Sequence, residues 1–434
     1  MTAPRELPGA ARCVIVGGGV AGASVAFHLA ELGWRDVVLL DRAQLASGST
    51  FLAAGLVEQL HPSPAMTRLA VYSVELYRRL RGAEQDPGWT GCGSLRLAGD
   101  AERWAELRRL AGWARTAGIP LELVSPREAA ERFPLLDDRG LHGAAWLATD
   151  GHLDPTRLTL ALTADAGRRG CLVASGTRVT GIDVDRGRVH GVRTDRGDIA
   201  ADVVVCAAGM WAAEIGRLAG VRIPVVPMAG QYVVTPPDAD PARRALPLLR
   251  DPGLGVFVRA DADGALIAGG DARRCAPWSL RGGEGLDEIP RDFNGRLLEG
   301  DRDGFAAIAA AAARRGWPVV VLAADEDPQH LRSAVATGAT GYVAAPFTQE
   351  RLLPALELAA ARTTDLAALR ADVVEIQNRL DTRKVVERAK GLLMAQQQLT
   401  EQEAFRLIQR TAMDRRTSMR DVAAAINNSL AGAA

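Results

Sequence analysis

The sequence is poor in lysine, in paired cysteines and in long apolar runs. Its formal net charge is zero, so no overall field favours nucleic acid or membrane, and any such partner must be recognised by a local patch. No apolar run reaches about 18 residues and no charged-then-apolar leader precedes the first predicted strand, so we expect neither a membrane span nor a signal peptide, and a cytoplasmic protein. At 434 residues the chain should form two or three domains.

The cysteines are scattered and form no CxxC pair. The five are Cys13, Cys92, Cys171, Cys206 and Cys275. Their spacing argues against a zinc site and against a disulfide framework, and it suits a reducing compartment. Each is interpreted as a small buried hydrophobe, and no metal site is predicted.

A glycine motif near the N-terminus has the context that dinucleotide binding needs. Residues 13–16 predict a buried strand, and residues 23–32 predict a helix. Between them, Gly17, Gly19 and Gly22 form Gly-x-Gly-x-x-Gly. In this order the glycines permit a tight turn, close approach of backbone N–H groups to a pyrophosphate, and close helix–strand packing. The alternative is a glycine-rich turn in an α/β core.

An acidic residue and a loop of small residues follow where a bound nucleotide would need them. A second apolar strand, residues 37–40, ends in Asp41, whose carboxylate would hold a ribose 2′-hydroxyl and disfavour a 2′-phosphate. Residues 46–56 are small and more apolar than a surface loop usually is. Such a segment can pass against the phosphates and ring system of a cofactor.

Further short motifs follow in order along the first two-thirds of the chain. They lie at residues 48–50, 53–56, 92–96, 150–155, 177–182, 203–211, 277–280 and 292–298. With the glycines and Asp41, they make residues 11 to about 314 resemble the FAD-dependent oxidoreductases of the D-amino-acid oxidase class, in the branch of dimethylglycine and sarcosine dehydrogenase. The resemblance implies a Rossmann-like FAD-binding domain, an antiparallel-sheet substrate domain and oxidation of a secondary or tertiary amine such as an N-methylated glycine.

The resemblance also implies which residues contact FAD. In the family, the residue at Val179 packs the adenine, and the backbone at Ala208 and Gly209 makes a second contact with the dinucleotide. The implied FAD contacts are Gly17, Gly19, Val20, Ala21, Gly22, Asp41, Arg42, Gly48, Ser49, Thr50, Ala54, Gly55, Leu56, Val179, Ala208, Gly209 and Trp211.

Two departures from the family pattern concern the chemistry. Where the branch often has a histidine joined covalently to the flavin, this chain has Leu52, so FAD should be bound non-covalently. Where the family tends to place a histidine in the substrate-domain strand, this chain has Gly230, so an imidazole that could orient the amine is missing there. Tyr232 and Arg259 remain candidates for the substrate pocket, and the alternative is that they belong to the core.

The flavoenzyme pattern stops near residue 315, before the family's closing strand and helix. Strands predicted at residues 317–325 and 341–347, and helices at 328–337 and 349–362, then resemble the last two βα repeats of a response-regulator receiver. The phosphate-accepting aspartate has no counterpart, and alanines replace the hydroxyl and lysine of the receiver site, so no phosphorylation is expected. So small a unit should dock on the flavin domain, pair with a second chain, or be poorly ordered.

The C-terminal part predicts a dimer seam and an RNA-binding domain. Leu366, Leu369, Val373, Ile376 and Leu380 repeat at intervals of three and four, which predicts a short coiled coil and a homodimer through residues 366–380. The alternative is a helix packed on its own domain. Through residues 385–394, 403–408 and 420–426, the segment from 366 to 430 resembles the ANTAR domain, whose three helices bind RNA stem-loops and prevent transcription termination.

Local charge supports an RNA partner. Between Arg379 and Arg420 there are ten basic residues against five acids, and the chain's only two lysines are among them. Phe405 is the single aromatic residue of this domain and is interpreted as core. The predicted RNA contacts are Arg383, Lys384, Arg388, Lys390, Arg406, Arg410, Arg415, Arg416 and Arg420.

The sequence thus predicts an FAD-dependent oxidoreductase over residues 1–314, a partial receiver-like βαβα unit over 315–362 and an ANTAR domain over 363–434. One hypothesis is an amine oxidoreductase with an attached antitermination domain, which also needs an electron acceptor that no motif identifies. The second is an RNA-binding antiterminator whose flavin portion is inactive or a sensor. The third is a fusion in which neither activity is intact.

Overall fold

The computed structural model of the chain describes residues 6–61, 63–82, 86–235, 237–270, 274–275, 302–315, 317, 319–323, 328–336, 338–345, 348–414 and 417–431. Its backbone contacts divide it into two compact units. One comprises Met1–Arg315 with Asp327–Ala339, and the other comprises Gly316–Glu326 with Thr340–Ala434.

The strands of the described residues are short to medium in length. They are β1 (Ala10–Val16), β2 (Val37–Leu40), β3 (Leu56–Val57), β4 (Ser94–Ala98), β5 (Leu121–Val124), β6 (Gly143–Leu147), β7 (Gly151–His152), β8 (Leu172–Ala174), β9 (Val179–Asp185), β10 (Arg188–Thr194), β11 (Ile199–Cys206), β12 (Met228–Ala229), β13 (Tyr232–Val234), β14 (Leu248–Asp251), β15 (Val256–Ala260), β16 (Leu266–Gly270), β17 (Arg274–Cys275), β18 (Val320–Ala323) and β19 (Gly341–Ala344).

The helices of the same residues range from one turn to 49 residues. They are α1 (Val20–Glu31), α2 (Pro64–Leu80), α3 (Ala101–Thr116), α4 (Pro126–Arg132), α5 (Pro155–Arg168), α6 (Ala212–Leu218), α7 (Pro241–Arg244), α8 (Arg302–Arg314), α9 (Pro328–Ala336), α10 (Gln349–Gln397), α11 (Glu401–Asp414) and α12 (Met419–Ala431), and a 3₁₀ turn at Gly209–Trp211 precedes α6. None of these described helices combines the length and the apolar character needed to cross a bilayer.

A six-stranded sheet in the first unit carries the glycine motif. Its order is β8-β2-β1-β11-β10-β9, and β1 runs parallel to both of its neighbours, β2 and β11. Val14 and Ile15 of β1 are fully buried on opposite faces, so β1 is the centre of this layer. The predicted strands at 13–16 and 37–40 and the helix at 23–32 are confirmed, with β1 and α1 beginning three residues earlier than predicted.

The second sheet of this unit is mixed, so the prediction of an antiparallel substrate sheet is only partly right. Its order is β13-β16-β15-β14-β4-β6-β5, and all neighbours are antiparallel except β4 and β14. These two strands come from distant parts of the chain, with Leu95 beside Leu249. No hairpin joins them, so nothing local enforces an antiparallel pairing. The short antiparallel pair β3 and β7 brings residues 56–57 beside 151–152.

An ion pair holds the chain to the second sheet at Arg315, close to the point where the flavoenzyme resemblance stops. Arg315 directly follows α8, and its Nε donates to Oδ2 of Asp251 at 2.5 Å. Asp251 ends β14 and is 2% exposed, and its other carboxylate oxygen accepts the N–H of Leu254 at 3.1 Å. The segment up to Arg315 is thus tied to the second sheet by a buried ion pair.

The second unit is built on one long helix. The strands β18 and β19 form a parallel pair, and α10 follows β19 directly and continues to Gln397. The helices predicted at 349–362 and 366–380 are therefore parts of a single helix. The end of α10 packs with α11 and α12 around a small apolar core that includes Val386, Leu393 and Ile408.

Candidate functional site

The glycine motif forms a turn that requires glycine. Gly17 follows β1 with a φ of +115°, and a Cβ there would overlap the carbonyl oxygen of Ala207. Gly22 lies in the first turn of α1, where a Cβ would overlap the carbonyl oxygen of Gly17. Strand and helix therefore approach more closely than any other residue would allow. The N-cap of α1 is Gly19, which offers no side-chain cap. The N–H of Val20 donates to the Thr50 hydroxyl at 3.1 Å, and the N–H groups that follow it in the first turn are left for an anion.

Asp41, predicted to hold a ribose hydroxyl, also accepts hydrogen bonds from backbone N–H groups of the glycine turn and of the residues that follow β2. Its Oδ2 accepts the N–H of Gly18 at 2.6 Å, and its Oδ1 accepts the N–H of Ala43 at 2.8 Å. Each carboxylate oxygen has a further lone pair, so Asp41 keeps the capacity to accept ribose hydroxyls. The hydroxyl of Thr50 accepts the N–H of Val20 at 3.1 Å and so joins the small-residue loop to the start of α1.

A cavity of about 290 Å³ lies beside the turn and the loop. Ligand pockets typically measure about 300–1,000 Å³, so this cavity lies at the small end of that range. Gly22, Ala54, Gly55 and Leu56 of the predicted set do not line it. The predicted residues that do line it are Gly17, Gly19, Val20, Ala21, Asp41, Arg42, Gly48, Ser49, Thr50, Val179, Ala208, Gly209 and Trp211.

Other lining residues were not predicted. They are Val16, Leu40, Ala43, Ser47, Thr177, Arg178, Ala207, Met210, Glu214 and Ile215. Most of them adjoin a predicted residue, so extending each motif by one or two positions finds them. Glu214 and Ile215 lie on α6, and no sequence signal pointed to that helix.

An aromatic wall closes one side of the cavity. The guanidinium carbon of Arg42 lies 4.2 Å from the centre of the Trp211 ring, in a cation–π contact. A Cβ on Gly48 would touch the same indole at 3.4 Å. Arg178 and Glu214 form a further, half-exposed ion pair at 3.7 Å. The wall thus brings together residues of the loop, of the segment before β9 and of the segment after β11.

Arg259, a candidate for the substrate pocket, is buried among protein groups. It is 6% exposed, and its Nε donates to the carbonyl oxygen of Ala54 at 2.5 Å. Its Nη1 donates to the carbonyl oxygen of Ala260 at 3.0 Å and lies 3.3 Å from a carboxylate oxygen of Asp261. Tyr232 lies on the same face of the sheet, two strands away, and is half-buried. Arg259 therefore holds protein groups, and the two predicted substrate residues are not neighbours.

Two buried titratable groups, Asp150 and His152, lie beside strands of the second sheet. Asp150 accepts the N–H of Gln59 at 2.9 Å and the hydroxyl of Ser94 at 2.7 Å, yet burial raises its pKa to about 6. Burial, together with the charge of Arg259, lowers the pKa of His152 to about 4, so this imidazole is neutral at pH 7. Neither residue lines the cavity. Across the described part of the chain, no group of three or more His, Cys, Asp or Glu side chains is placed to hold a metal ion.

A carboxylate next to the loop joins it to the second sheet. Glu58 receives Arg96 at 3.0 Å and Arg250 at 2.6 Å. Burial alone would raise the pKa of Glu58, but the charges and hydrogen bonds of the two arginines outweigh it and hold the pKa below its ordinary value. Glu58 is therefore ionised and structural at neutral pH.

The predicted RNA contacts fall into three groups. Lys390 is a correction, because it is 7% exposed and its ammonium binds Glu387 at 3.0 Å and Glu401 at 2.6 Å. Its charge is neutralised within the helical bundle. Arg415 and Arg416 lie outside the described residues. The exposed members are Arg383, Lys384, Arg388, Arg406, Arg410 and Arg420.

The family model for FAD dependent oxidoreductases (DAO) matches residues 12–300. The chain belongs to this family. FAD is therefore its cofactor, and the segments that form the glycine turn, the loop and the aromatic wall all lie within the matched residues of this flavoprotein.

Two similar proteins support the same assignment. Mitochondrial dimethylglycine dehydrogenase of Rattus norvegicus is 34% identical over 316 residues, which is 71% of this chain and 36% of that protein. The chain thus spans about a third of the length of this curated relative. The crystal structure of L-proline dehydrogenase from P. horikoshii matches with a TM-score of 0.63 and 26% identity, covering 71% of this chain and 78% of that one.

The C-terminal part of the flavoprotein has its own matches. The ANTAR domain model matches residues 375–426. The transcriptional regulatory protein PdtaR of Mycobacterium tuberculosis (strain CDC 1551 / Oshkosh) is 44% identical over 129 residues, which is 30% of this chain and 63% of that protein. The ANTAR model match covers α11 and the larger part of α12, together with the last turns of α10.

The residues of the flavoprotein fit the nucleotide half of FAD. The cradle formed by Gly17 and Gly22 has no room for a Cβ, the N-cap Gly19 leaves first-turn N–H groups of α1 beyond that of Val20 without a side-chain cap, and Asp41 closes the end of β2. A pyrophosphate needs the first two features and a ribose needs the third. Ala54, Gly55 and Leu56, predicted from the family as FAD contacts, pack against the residues around β7 and against Arg259, outside the cavity lined by most of the other predicted contacts.

Proposed function

We propose that the chain is an FAD-dependent oxidoreductase acting on a secondary or tertiary amine, such as an N-methylated glycine, and that it carries an RNA-binding antitermination domain. The observation that carries the first half is the steric closure of the cradle at Gly22, within a family match of residues 12–300. The similarity to dimethylglycine dehydrogenase supports the substrate class.

The roles of this chain's own residues are binding and positioning. Gly17 and Gly22 bring the first turn of α1 against β1, so that helix N–H groups meet a pyrophosphate, and Asp41 accepts ribose hydroxyls. Trp211, stacked under Arg42, covers one side of the nucleotide cavity. When bound, FAD supplies the group that takes a hydride from the carbon beside the amine nitrogen.

We propose that FAD is held without a covalent bond. Leu52 stands where the family often has the linking histidine, and leucine has no nucleophilic atom. Acid precipitation of the purified protein should release all of its flavin to the supernatant. Flavin that stays with the pellet would contradict this proposal.

Amine oxidation is tested by mixing the purified flavoprotein with sarcosine or dimethylglycine in the absence of oxygen. Bleaching of the bound flavin spectrum by either amine supports the proposed activity. A protein that binds FAD but is bleached by no N-methylated amine would leave a binding role alone. A colourless, well-folded protein would overturn the FAD-dependent half of the proposal.

The RNA half rests on the exposed cations of the second unit. Arg406 and Arg410 lie one turn apart on α11, and Arg388 is exposed near the end of α10. Phe405 is 41% exposed, so the expectation that it belongs to the core is wrong and its ring is accessible to a base. An RNA with two hairpin loops, titrated at several salt concentrations, should bind more weakly as salt rises. Affinity that ignores salt would contradict a phosphate-binding surface.

A second copy of the chain would cover the exposed apolar stripe of α10. Leu369 is 61% exposed and Ile376 is 56% exposed, and both belong to the predicted heptad seam. We propose a homodimer through residues 366–380. RNA binding of this kind would also place the chain in the cytoplasm.

The alternative function is an RNA-binding antiterminator whose flavin portion is inactive or a sensor. It is favoured by the contacts of Arg259, which leave its Nε and Nη1 engaged with protein groups, and by Gly230 in place of the family's histidine. An RNA affinity that changes between oxidised and reduced protein, with no bleaching by amines, would select this alternative.

A further inference from the structure

The loop of residues 46–55, beside the glycine turn, is held at its middle and at its far end. Near its middle, Thr50 accepts the N–H of Val20 at the start of α1. At its far end, the carbonyl oxygen of Ala54 accepts the Nε–H of Arg259 at 2.5 Å. Arg259 lies on β15 of the second sheet, 205 residues further along the chain. The loop therefore spans from the nucleotide cradle to the other sheet of the same unit.

Neighbouring contacts make the far end rigid. Gly55 has a φ of +75°, and a Cβ there would overlap the carbonyl oxygen of Leu153. The N–H of Leu153 donates to the carbonyl oxygen of Gly55 at 3.0 Å, and Leu56 pairs with His152 in the short β3–β7 ladder. The ring of His152 in turn lies 3.5 Å from Nη1 of Arg259. The backbone of the loop end is thus held from two sides.

We infer that Arg259 is a positioning residue, which orders the loop of residues 46–55 for FAD rather than binding the amine substrate. The inference rests on the proposed FAD site. Its planar guanidinium donates to Ala54 from one edge and to Ala260 from another, and it is 6% exposed. A loop that is already ordered does not have to be ordered when the cofactor binds, so affinity is gained without any direct contact.

Two substitutions separate charge from geometry. Arg259→Met removes the donor and leaves the Ala54 carbonyl without it, while Arg259→Lys keeps the positive charge on a group that cannot donate in two fixed directions. Arg315→Lys is the matched control, because Arg315 is also largely buried in this unit but binds the Asp251 carboxylate and not the loop. Each of the three variants weakens the hydrogen bonding of a buried arginine and should lower stability, but only the two Arg259 variants should loosen the loop of residues 46–55.

Loop order is measured directly with chymotrypsin on the full chain without added FAD, well below its unfolding temperature. Phe51 is 53% exposed within the loop and is a cleavage site for this protease. We expect cleavage at Phe51 to be about tenfold faster in Arg259→Met and intermediate in Arg259→Lys, since a lost charge-assisted hydrogen bond corresponds to roughly that factor. Arg315→Lys should be cleaved at the wild-type rate. Equal rates in all four proteins would overturn the inference.

FAD binding gives the second readout. Titrated with FAD and followed by flavin fluorescence, Arg259→Met should bind about tenfold more weakly than wild type, and Arg315→Lys should bind equally well. If the Arg259 variants bind FAD normally but bind the amine more weakly, Arg259 is a substrate residue and the inference is wrong. If the wild type takes up no FAD, the proposed cofactor site fails. The cleavage rates at Phe51 then decide on their own whether Arg259 orders the loop.

Discussion

The closest steric contact of the nucleotide cradle can be tested by adding one methyl group. In Gly22→Ala, the new Cβ would lie far inside 3.0 Å of the Gly17 carbonyl oxygen and 3.3 Å from a methyl group of Leu39, which is fully buried. Neither neighbour is the free end of a flexible side chain. The first turn of α1 must therefore move away from β1 and β2. Overpacking of this kind costs about 1–3 kcal/mol.

Alanine also favours the helix, so strain and propensity have to be separated. Replacing glycine by alanine inside a helix contributes about 1 kcal/mol of stability. Gly112 lies inside α3 with nothing within 4 Å of a built Cβ, so Gly112→Ala should show that gain without strain. We expect Gly112→Ala to raise the free energy of unfolding by up to about 1 kcal/mol and Gly22→Ala to lower it by about 0–2 kcal/mol.

The cofactor gives the more decisive assay. Moving the first turn of α1 carries its N–H groups away from the pyrophosphate, so Gly22→Ala should bind FAD at least about tenfold more weakly, which corresponds to 1.4 kcal/mol. Urea unfolding measures stability, and fluorescence titration of the protein with FAD measures affinity. If Gly22→Ala binds FAD within a factor of about two of wild type and gains stability as Gly112→Ala does, the argument from close approach is refuted.

Arg315→Ala should lower the free energy of unfolding by about 3–5 kcal/mol, because it leaves the buried Asp251 carboxylate without its cation. Arg103→Ala breaks only the exposed pair with Glu106 and should leave the urea midpoint close to that of wild type. A similar urea midpoint for both variants would contradict a role for the buried pair. The pKa of His152 is about 4 in the folded state, so between pH 6.5 and pH 4 the unfolded state takes up a proton that the folded state does not, and the wild type loses stability on acidification. His152→Gln lacks this loss and should gain stability relative to wild type by up to roughly 3 kcal/mol as pH falls from 6.5 to 4. Parallel pH profiles of stability for the two proteins would refute this prediction. Arg406→Ala should reduce the slope of log affinity for RNA against log salt by about one, whereas Lys390→Gln, whose charge is already paired, should leave the slope unchanged and lower stability. Leu369→Asp should convert a dimer to a monomer in light scattering, while Ala368→Asp, which adds the same charge at an exposed position away from the seam, should not.

The nucleotide half of the site could be predicted because its parts are local in the sequence. Gly17, Gly22 and Asp41 lie on consecutive elements, and the order strand, glycine turn, helix, strand leaves little freedom in where they meet. The lining residues on α6 were missed because that helix reaches the cavity from the far end of β11, where no chemical motif marks it.

The roles of long-range charged residues could not be predicted from their positions. Arg259 meets Ala54 across 205 residues, and Lys390 meets Glu401 only after the chain has turned between α10 and α11. In both cases burial depends on tertiary neighbours that sequence periodicity does not show. The apolar neighbours of Phe405 in the sequence predict a core position for it, but the buried positions of α11 are Ala404, Ile408 and Ala412.

The length of α10 has a mechanical consequence. An α-helix advances 1.5 Å and turns 100° for each residue, so the 49 residues of α10 form a rod of roughly 70 Å that joins the β18–β19 pair to the ANTAR bundle. Pro354, near the N-terminal end of the rod, cannot donate the helical hydrogen bond and is the place where the rod can bend. Removing one residue from its middle would rotate the bundle's exposed arginines by about 100° about the rod, whereas removing seven would nearly restore their angular phase. The number of residues in α10 therefore sets the direction in which the exposed arginines of the ANTAR bundle point about the helix axis.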